Sequence, residues 1–324
     1  MKCDPRLSIF KHIQEVFEDS STTLSSVVPI PYLSSQQRHK DKIVEDSRSF
    51  SAKQVEALLV MAFFCTFPFR NSVGEMPGIN FNTLYEAMNW GAQRHQAAKA
   101  KMDCIWQYFA TRTYEERHMR QERKIEFKRR SMRDFPTWGD SKKFLLSVTF
   151  SDYPMEDHVG KGLEVDFANK MIGGGILGSG AVQEEIRMAI APEMIVARLF
   201  TAPLEDNEVL FIKGAKRFSR TSGYSNSLKF EEHYVDMEMR EVVAMDAREY
   251  RDKSHQFERK EFERELNKAF CGFYSKSGDK TKIATGHWGC GAFGGNKELK
   301  AILQLLAASE VSFSEIRFSF VDNI

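Results

Sequence analysis

The chain has 324 residues, 42% of them hydrophobic, which is enough to build the core of one large domain or of two ordinary ones. Its 46 basic and 45 acidic residues leave a net charge of +1, which argues against binding of nucleic acids or membranes through an overall basic field. The most apolar run, residues 57–65, is far shorter than the ~20 residues that span a bilayer, and the N-terminus lacks the apolar segment of a signal peptide. We therefore expect a soluble intracellular protein.

Neither the cysteines nor the histidines form a recognisable disulfide or metal pattern. No two cysteines are spaced C-x-x-C and their number is odd, so free thiols in a reducing compartment are expected. The five are Cys3, Cys65, Cys104, Cys271 and Cys290. The eight histidines include no H-x-x-x-H pair, which gives no support to a metal site on a helix.

Residues 1–135 are predicted to be mostly helical. In KQVEALLVMAFFC, which starts at Lys53, apolar side chains recur at i, i+3, i+4 and i+7 and predict one buried helical stripe. These side chains are Val55, Leu58, Leu59 and Ala62. Internal repeats and low-complexity tracts are absent from the sequence.

A charged run, EERHMRQERKIEFKRR, occupies residues 115–130 and holds seven Arg or Lys and four Glu. The plain interpretation is a solvated face of mixed charge, and the alternatives are a nuclear-import signal or a contact for a polyanion. The alternation in KIEFK indicates a strand just before Arg129 and Arg130, which weakens the import alternative.

The predicted secondary structure changes after about residue 141, where strands begin to alternate with helices. FLLSVTFSD, residues 144–152, is predicted to be a strand, and LEVDFAN, residues 163–169, alternates apolar and acidic residues. The second pattern predicts that Glu164 and Asp166 point outward.

The end of the chain repeats this alternation of helix and strand. ELKAILQLLAAS predicts a helix with one apolar face, formed by Leu299, Ile302, Leu303 and Leu306. IRFSF then predicts a strand. We expect an α/β domain with glycine loops at strand ends, and a domain boundary within residues 136–142.

The stretch GGGILGSGAVQEE, residues 173–185, follows a predicted strand and leads into a predicted helix that Pro192 must end or interrupt. Glycine permits close approach of a ligand to the backbone, and amides beside a helix N-terminus favour phosphate. A tight turn without a ligand is the alternative. A second glycine loop, TGHWGCGAFGG at residues 285–295, favours the interpretation that two loops bind one diphosphate from both sides. Neither loop fits a P-loop or a Rossmann motif.

Two adjacent acids close the first glycine stretch, Glu184 and Glu185. Neighbours on a helix point ~100° apart, so the two carboxylates are expected to do different work. They could simply complement the helix dipole. Alternatively, one positions a substrate and the other donates a proton, with Asp166 adding a third charge nearby.

The motifs of this sequence resemble those of one family, the poly(ADP-ribose) glycohydrolases. The resemblance rests on VDFAN, then GGG, seven residues and QEE. It continues in order through residues 50–320, in the segments AFFCTFP, INFNTLYE, DFPTW, PEMIVARLF, SGY, RELNKAFCGF and ATGHWGCGAFGG.

The resemblance implies a macrodomain-type α/β fold, a mixed β-sheet flanked by helices, with an N-terminal α-helical accessory domain. The implied division is 1–138 for the accessory domain and 139–324 for the catalytic domain. It also implies hydrolysis of ribose–ribose O-glycosidic bonds in poly(ADP-ribose), chiefly from the chain end, with release of ADP-ribose and without a cofactor or metal.

By position in the family's motifs, Glu185 matches the general acid that protonates the leaving ribose oxygen and then acts as a base. Glu184 matches the residue that binds ribose hydroxyls, and Asp166 the acid that supports the catalytic loop. The implied substrate-binding residues are Met155, Glu156, Asn169, Gly174, Gly175, Gln183, Tyr224, Gly291, Ala292, Phe293 and Phe320.

Each of these has a role that the resemblance implies. Met155 and Glu156 would form the adenine pocket, Tyr224 would close over the ligand, and Phe320 would pack against adenine. Glycine backbone would contact the diphosphate and the distal ribose, and Phe293 would pack on that ribose. The aromatic residues would otherwise be interpreted as core.

The sequence departs from the family pattern at two places. His287 stands where the family usually has Asn, which would alter a polar contact at the phosphate loop or make it sensitive to pH. The chain ends at Ile324, where relatives generally continue with more helix, so we expect an effect on stability and on closure of the adenine side.

Two other functions are kept as alternatives: a module that binds ADP-ribose without turnover, and a hydrolase for single ADP-ribosyl groups on proteins. The expected partner is poly(ADP-ribose) on modified proteins, without direct DNA or membrane binding. We further expect a monomer that acts in the DNA damage response, in the nucleus, the cytoplasm or both.

Overall fold

The structure is a computed structural model, and it describes residues 42–68, 77–89, 92–118, 123–157, 162–234, 240–275, 282–311 and 313–320. Within them the α-helices are α1 (Ala52–Phe63), α2 (Asn82–Asn89), α3 (Ala92–His118), α4 (Gln183–Ile190), α5 (Arg259–Phe273) and α6 (Lys297–Glu310). The strands are β1 (Ile43–Ser51), β2 (Lys124–Met132), β3 (Ser147–Ser151), β4 (Leu163–Asp166), β5 (Glu208–Lys213), β6 (Ser219–Ser222), β7 (Lys229–His233), β8 (Glu241–Ala244), β9 (Lys282–Thr285) and β10 (Glu315–Ser319).

Eight strands form one mixed sheet in the order β1-β2-β5-β8-β4-β9-β10-β3. The strands from β8 to β3 run parallel to their neighbours, whereas β1, β2 and β5 are antiparallel additions at one side. The strands β6 and β7 form a separate antiparallel hairpin. This agrees with the predicted macrodomain-type mixed sheet.

Helices cover both faces of the sheet, and β5 shows how the two cores arise. Leu210 and Ile212 pack into a core with α1 and α3, while Val209 and Phe211 pack into a second core with α5 and α6. Successive side chains of a strand point to opposite faces, so a strand covered on both sides is apolar throughout.

The described residues before 135 are mostly helical, as predicted, but they also contribute two strands. Ser51 caps α1 by accepting the backbone N–H of Gln54 at 3.2 Å, and the four predicted apolar side chains of α1 are buried. However, β1 and β2 extend the main sheet on its antiparallel side. The division at residue 138 stays a prediction.

The part of the charged run that the structure describes does not form a solvated face. Residues 124–130 lie in β2, as KIEFK predicts, and Arg129 and Arg130 are both only 5% exposed. Arg129 pairs with Glu208, and Arg130 pairs with Glu45 at 2.6 Å. The side chains of residues 115–122 lie outside the described residues.

The predicted orientation of LEVD is wrong. Glu164 and Asp166 are fully buried, because β4 lies between β8 and β9 with both of its faces covered. The buried Glu164 is neutralised by an ion pair with Arg187, which is equally buried.

The predicted apolar face of α6 is also partly wrong. Leu303 is buried, but Ile302 is 54% exposed and Leu306 is 39% exposed. The helix instead buries Lys300 and Gln304, which have polar partners inside the protein. Polar groups with partners can replace apolar ones in a core, and periodicity alone does not reveal them.

The remaining expected elements are present. The helix after the glycine stretch ends at Ile190, two residues before Pro192. β3 begins at Ser147, later than the predicted strand, and β10 matches IRFSF. Among the described residues, no helix is both long and apolar enough to cross a membrane.

Candidate functional site

Two loops meet at the edge of the sheet where the parallel strands end. The glycine loop, defined here as residues 172–182, connects β4 to α4, and the second loop, residues 286–296, connects β9 to α6. Carboxyl ends of parallel strands form the usual crevice for ligands in such sheets. The predicted site residues lie on these two loops or on neighbouring segments.

Glu184 is almost completely buried and is bound by the backbone in front of it. Its Oε2 accepts the N–H of Asn169 at 2.9 Å, and its Oε1 accepts the N–H of Gly173 at 2.6 Å. The side chain therefore connects the end of β4 to the start of the glycine loop.

Glu185 points to a different part of the loop, as expected from the helical period. Its Oε1 accepts the N–H of Gly175 at 2.8 Å, and its Oε2 accepts the N–H of Val182 at 2.9 Å. The second bond satisfies the backbone at the start of α4, which is half of a capping box. Each oxygen keeps a lone pair for a further contact.

Glycine is required at two positions of the loop because a side chain would have no room there. A Cβ on Gly174 would lie 2.6 Å from Oε1 of Glu185, and Gly174 has a φ of +40°. A Cβ on Gly180 would lie 2.8 Å from the same oxygen. Bare backbone therefore lets the loop fold directly around the carboxylates.

A buried lysine from the helical segment binds the opposite side of the loop. Nζ of Lys101, on α3, donates to the carbonyl oxygens of Gly175 at 3.2 Å, Gly178 at 2.7 Å and Gly180 at 2.6 Å. Lys101 is fully buried, and burial lowers its pKa to about 8, opposed by the charge of Glu185.

A buried arginine binds the start of the loop. Nη1 of Arg198 donates to the carbonyls of Ile172 at 3.0 Å and Gly174 at 3.1 Å, and its Nε donates to Gly78 at 2.8 Å. Burial lowers its pKa to about 10, opposed by the charges of Glu184 and Glu185. The guanidinium therefore stays charged at neutral pH.

The acids behind the loop form a coupled cluster. Burial raises the pKa of Glu184 well above its usual range, and the charges of Asp166 and Glu185 raise it further. Burial likewise raises the pKa of Asp166, opposed by Arg187. Among the described residues, neither side-chain oxygen of Asp166 has a hydrogen-bond partner. Asp166 therefore makes no direct bond to the described residues of the loop, and its support of the loop stays a prediction.

Asn169 and Gln183 accept hydrogen bonds from the backbone between β4 and the glycine loop. Oδ1 of Asn169 accepts the N–H of Met171 at 2.9 Å, and Oε1 of Gln183 accepts the N–H of Phe167 at 2.7 Å. Both residues thus lie at the junction of β4, the loop and α4, as predicted.

The predicted adenine residues lie on a neighbouring turn. Met155 is buried against Phe167, which directly follows β4, and against Ala284 of β9. Burial raises the pKa of Glu156, whose carbonyl accepts a hydrogen bond from Arg240.

Phe320 follows β10 and lies between two other rings. His287 stacks on it with centroids 4.5 Å apart, and Phe150 stacks on it at 5.7 Å. Burial lowers the pKa of His287, and the nearby Lys297 lowers it further. The residue that departs from the family pattern therefore contacts the predicted adenine aromatic.

Tyr224 connects the two loops. Its hydroxyl interacts with the backbone of Gln183 and the charge of Glu185, and it lies 3.8 Å from the position of a Cβ on Gly291. Gly291 and Ala292 are exposed on the second loop, and Phe293 packs on the core beneath them.

Lys101 and Arg198 contact the site but are not among the residues predicted from the sequence. The signal for Lys101 was its spacing, because it shares a helical face with buried Ala97, Ala98 and Cys104. A lysine within an apolar stripe needs a polar partner. Within the described part of the chain, no group of three or more His, Cys, Asp or Glu could hold a metal ion.

Comparison with known proteins shows which sequences this chain is similar to. A family model described as poly(ADP-ribose) glycohydrolase, Macro domain fold, matches residues 135–323, and one described as its helical domain matches residues 8–129. Poly(ADP-ribose) glycohydrolase 1 of Arabidopsis thaliana is 32% identical, over 80% of this chain and 61% of its own length. A probable second glycohydrolase of that plant is 30% identical, over 80% of this chain and 60% of its own length.

A crystal structure of poly(ADP-ribose) glycohydrolase from Thermomonospora curvata is 16% identical over 57% of this chain and 74% of that chain, with a TM-score of 0.41. The chain spans about 60% of the length of the two plant relatives. Because the macro-domain model alone matches more than half of the sequence, the chain belongs to the poly(ADP-ribose) glycohydrolase family.

Proposed function

We propose that this chain hydrolyses the ribose–ribose O-glycosidic bonds of poly(ADP-ribose) and releases ADP-ribose. The observation that carries the proposal is the pair of buried acids, Glu184 and Glu185, each bound by two backbone amides in or beside the glycine loop. The named activity of the plant relatives supports the same reaction.

In the proposed mechanism, Glu185 gives its proton to the ribose oxygen that leaves as the bond to the anomeric carbon breaks. The carboxylate of Glu185 then takes a proton from water, whose oxygen bonds to the oxocarbenium-like carbon. Glu184 accepts hydrogen bonds from ribose hydroxyls. The bond between sugar and leaving oxygen is thus replaced by one between sugar and water oxygen.

The other residues position the substrate in this proposal. The backbone at Gly174 and Gly175 approaches the diphosphate and the distal ribose. Tyr224 lies over the ribose from the side of the second loop, where Gly291, Ala292 and Phe293 contribute. Adenine lies at the turn of Met155 and Glu156 and against Phe320, next to His287.

We also propose that the substrate is poly(ADP-ribose) on modified proteins, bound by a monomer in the nucleus or cytoplasm during the DNA damage response. The four described cysteines Cys65, Cys104, Cys271 and Cys290 have free thiols, which fits a reducing compartment. Fractionation of cells with an antibody to this chain tests the location.

Digestion of protein-linked poly(ADP-ribose) by the purified chain tests the function. We expect free ADP-ribose to accumulate with time, while one ADP-ribose stays on the acceptor protein. Binding of ADP-ribose without release would instead establish a binding module. Removal of the last protein-linked unit would establish a hydrolase for single ADP-ribosyl groups.

A further inference from the structure

We propose that Arg198 and Lys101 are positioning residues of the hydrolysis, because together they fix the peptide orientations of the glycine loop that hold Glu184 and Glu185. This inference rests on the proposed function. We call the two side chains the cation clamp. Neither acts on the substrate directly in this account.

Arg198 controls two of the three peptide groups of the loop that bind the acids. In a trans peptide the carbonyl of one residue and the N–H of the next point in opposite directions. Nη1 of Arg198 binds the carbonyl of Ile172, and the N–H in the same peptide, that of Gly173, binds Glu184. It also binds the carbonyl of Gly174, and the N–H of Gly175 in that peptide binds Glu185.

One guanidinium nitrogen therefore holds two of the three loop amides that bind the acids, those of Gly173 and Gly175. Glycine has no side chain to restrict the rotation of these peptides, so their orientation must be fixed from outside. If a peptide rotated, its carbonyl would face a carboxylate and its N–H would be lost to that acid. Arg198 prevents this by binding both carbonyls on the far side.

Lys101 fixes the later part of the loop by binding the carbonyl of Gly175, whose own N–H binds Glu185, and two carbonyls that precede Val182. Its ammonium has three N–H groups, and three glycine carbonyls, those of residues 175, 178 and 180, accept them within 3.2 Å. All of its donors are thereby used by one loop. A surface lysine pays a large entropic cost for such order, but Lys101 is fully buried and has no alternative partner in water.

The placement of the two cations agrees with this role. Both lie close enough to Glu185 for its charge to raise their pKa values, and Glu184 does the same for Arg198. All three hydrogen bonds of the Lys101 ammonium go to backbone carbonyls of the loop, and Nη1 of Arg198 binds two more. We therefore expect loss of the clamp to lower kcat strongly and, because the same loop backbone is proposed to approach the diphosphate, to weaken the binding of ADP-ribose as well.

Replacement of Lys101 provides the first test. Lys101→Met keeps most of the side-chain volume and removes the three donors, and Lys99→Met is the matched control, since Lys99 is exposed on the same helix. We expect kcat to fall about 10²-fold in Lys101→Met, the loss typical of a small displacement of reacting groups. We expect Lys99→Met to stay within about twofold of the wild type, as is usual for surface changes.

Hydrogen exchange of peptides that cover residues 172–185 gives a readout that does not depend on activity. Compared with the wild type and Lys99→Met, the N–H groups of Gly173 and Gly175 should exchange faster in Arg198→Lys, and those of Gly175 and Val182 should exchange faster in Lys101→Met. Arg198→Lys keeps the charge but cannot reach the carbonyls of Ile172, Gly174 and Gly78 together. We expect both its kcat and its affinity for ADP-ribose to fall.

Chemical rescue separates the role of the ammonium from simple filling of space. Lys101→Ala removes three carbons and the ammonium, so propylammonium has the shape of the missing part, and propanol is its neutral counterpart. We expect propylammonium to restore kcat in a saturable way, and propanol not to.

The possible outcomes distinguish this inference from the proposed function. A wild type that releases no ADP-ribose contradicts the function, and the exchange data then still test the clamp. A folded Lys101→Met with wild-type kcat and wild-type exchange overturns the clamp. Equal rescue by propanol would also overturn it, because filling the cavity would then suffice.

Discussion

At the scale of single residues, the site depends on positions where a side chain has no room. Gly174 combines a positive φ with a carboxylate oxygen 2.6 Å from the place of a Cβ. Gly139, in an exposed turn, would meet nothing within 4 Å. The two glycines differ in what surrounds them, and the sequence alone could indicate a special role only for the first, through its cluster with neighbouring glycines.

We predict that Gly174→Ala lowers the rate of ADP-ribose release by at least about tenfold, because Glu185 must move away from its amide. Gly139→Ala should leave the rate unchanged. The comparison requires initial rates on the same polymer and a thermal melt of each variant. Equal rates for Gly174→Ala and the wild type would show that the acid tolerates displacement.

A second prediction at this scale concerns pH. Burial raises the pKa of Asp166 to about 8, whereas an Asp in the unfolded chain ionises near ~4. The folded protein therefore binds an extra proton between these values, and its stability should fall as the pH rises through this range. Asp166→Asn removes the titrating group, so its melting temperature should fall less between pH 5 and pH 8.

Asp152→Asn is the matched control for this pH series, because Asp152 is exposed. It should keep the pH dependence of the wild type. An Asp166→Asn variant with an unchanged pH dependence would contradict a raised pKa for Asp166.

At the scale of elements, the sequence predicted most helices and strands but not all of their buried faces. The stripe of α1 is apolar, so periodicity identified it correctly. In β4 and α6 the buried face includes charged residues, such as Glu164 and Lys300, whose partners come from distant parts of the chain. Local periodicity carries no information about such partners, and this is why the prediction failed there.

The pair Lys300–Glu265 joins α6 to α5 inside the protein and gives a prediction at this scale. Both side chains are buried, and the ammonium also lies 4.2 Å from the centre of the Trp288 ring. Lys300→Met should reduce the free energy of unfolding by about 3 kcal/mol, since it leaves a buried carboxylate without this partner.

A double-mutant cycle with Glu265→Gln checks the cause of that loss. Urea unfolding of the four proteins should show that Glu265→Gln costs less in the Lys300→Met background than in the wild type. Strictly additive losses would mean that the two side chains do not interact in the folded protein.

At the scale of the whole molecule, one sheet includes strands from both parts of the chain. β1 pairs with β2 and β2 pairs with β5, and Phe127 of β2 packs on Phe50 and Phe200. The fold class was predictable from the alternation of elements and the family resemblance. The contribution of β1 and β2 was not, because β1 lies in a segment whose pattern does not reveal its pairing.

This continuity predicts that the chain unfolds as one unit. Far-ultraviolet circular dichroism and tryptophan fluorescence should give coincident urea transitions. Phe127→Ala should shift both transitions together, with a loss of about 3–5 kcal/mol for a buried aromatic side chain. Two separate transitions would contradict a single cooperative structure.

The candidate site was predictable to a similar degree. The two loops, the acids and their order along the chain follow from the sequence, since each lies within a short motif. The clamp residues Lys101 and Arg198 contact the glycine loop from α3 and from the segment after α4, so only the folded structure reveals them. The assignment of a role to each site residue remains a prediction.

The most direct test of the central claim is the rate of ADP-ribose release from protein-linked polymer by the wild type and by Glu185→Gln. Glu86→Gln, at an exposed position of α2, serves as the matched control. We predict that Glu185→Gln lowers the rate by a factor of ~10²–10⁴, as expected for loss of a general acid, while ADP-ribose still binds. A Glu185→Gln variant with the rate of the wild type would contradict the account.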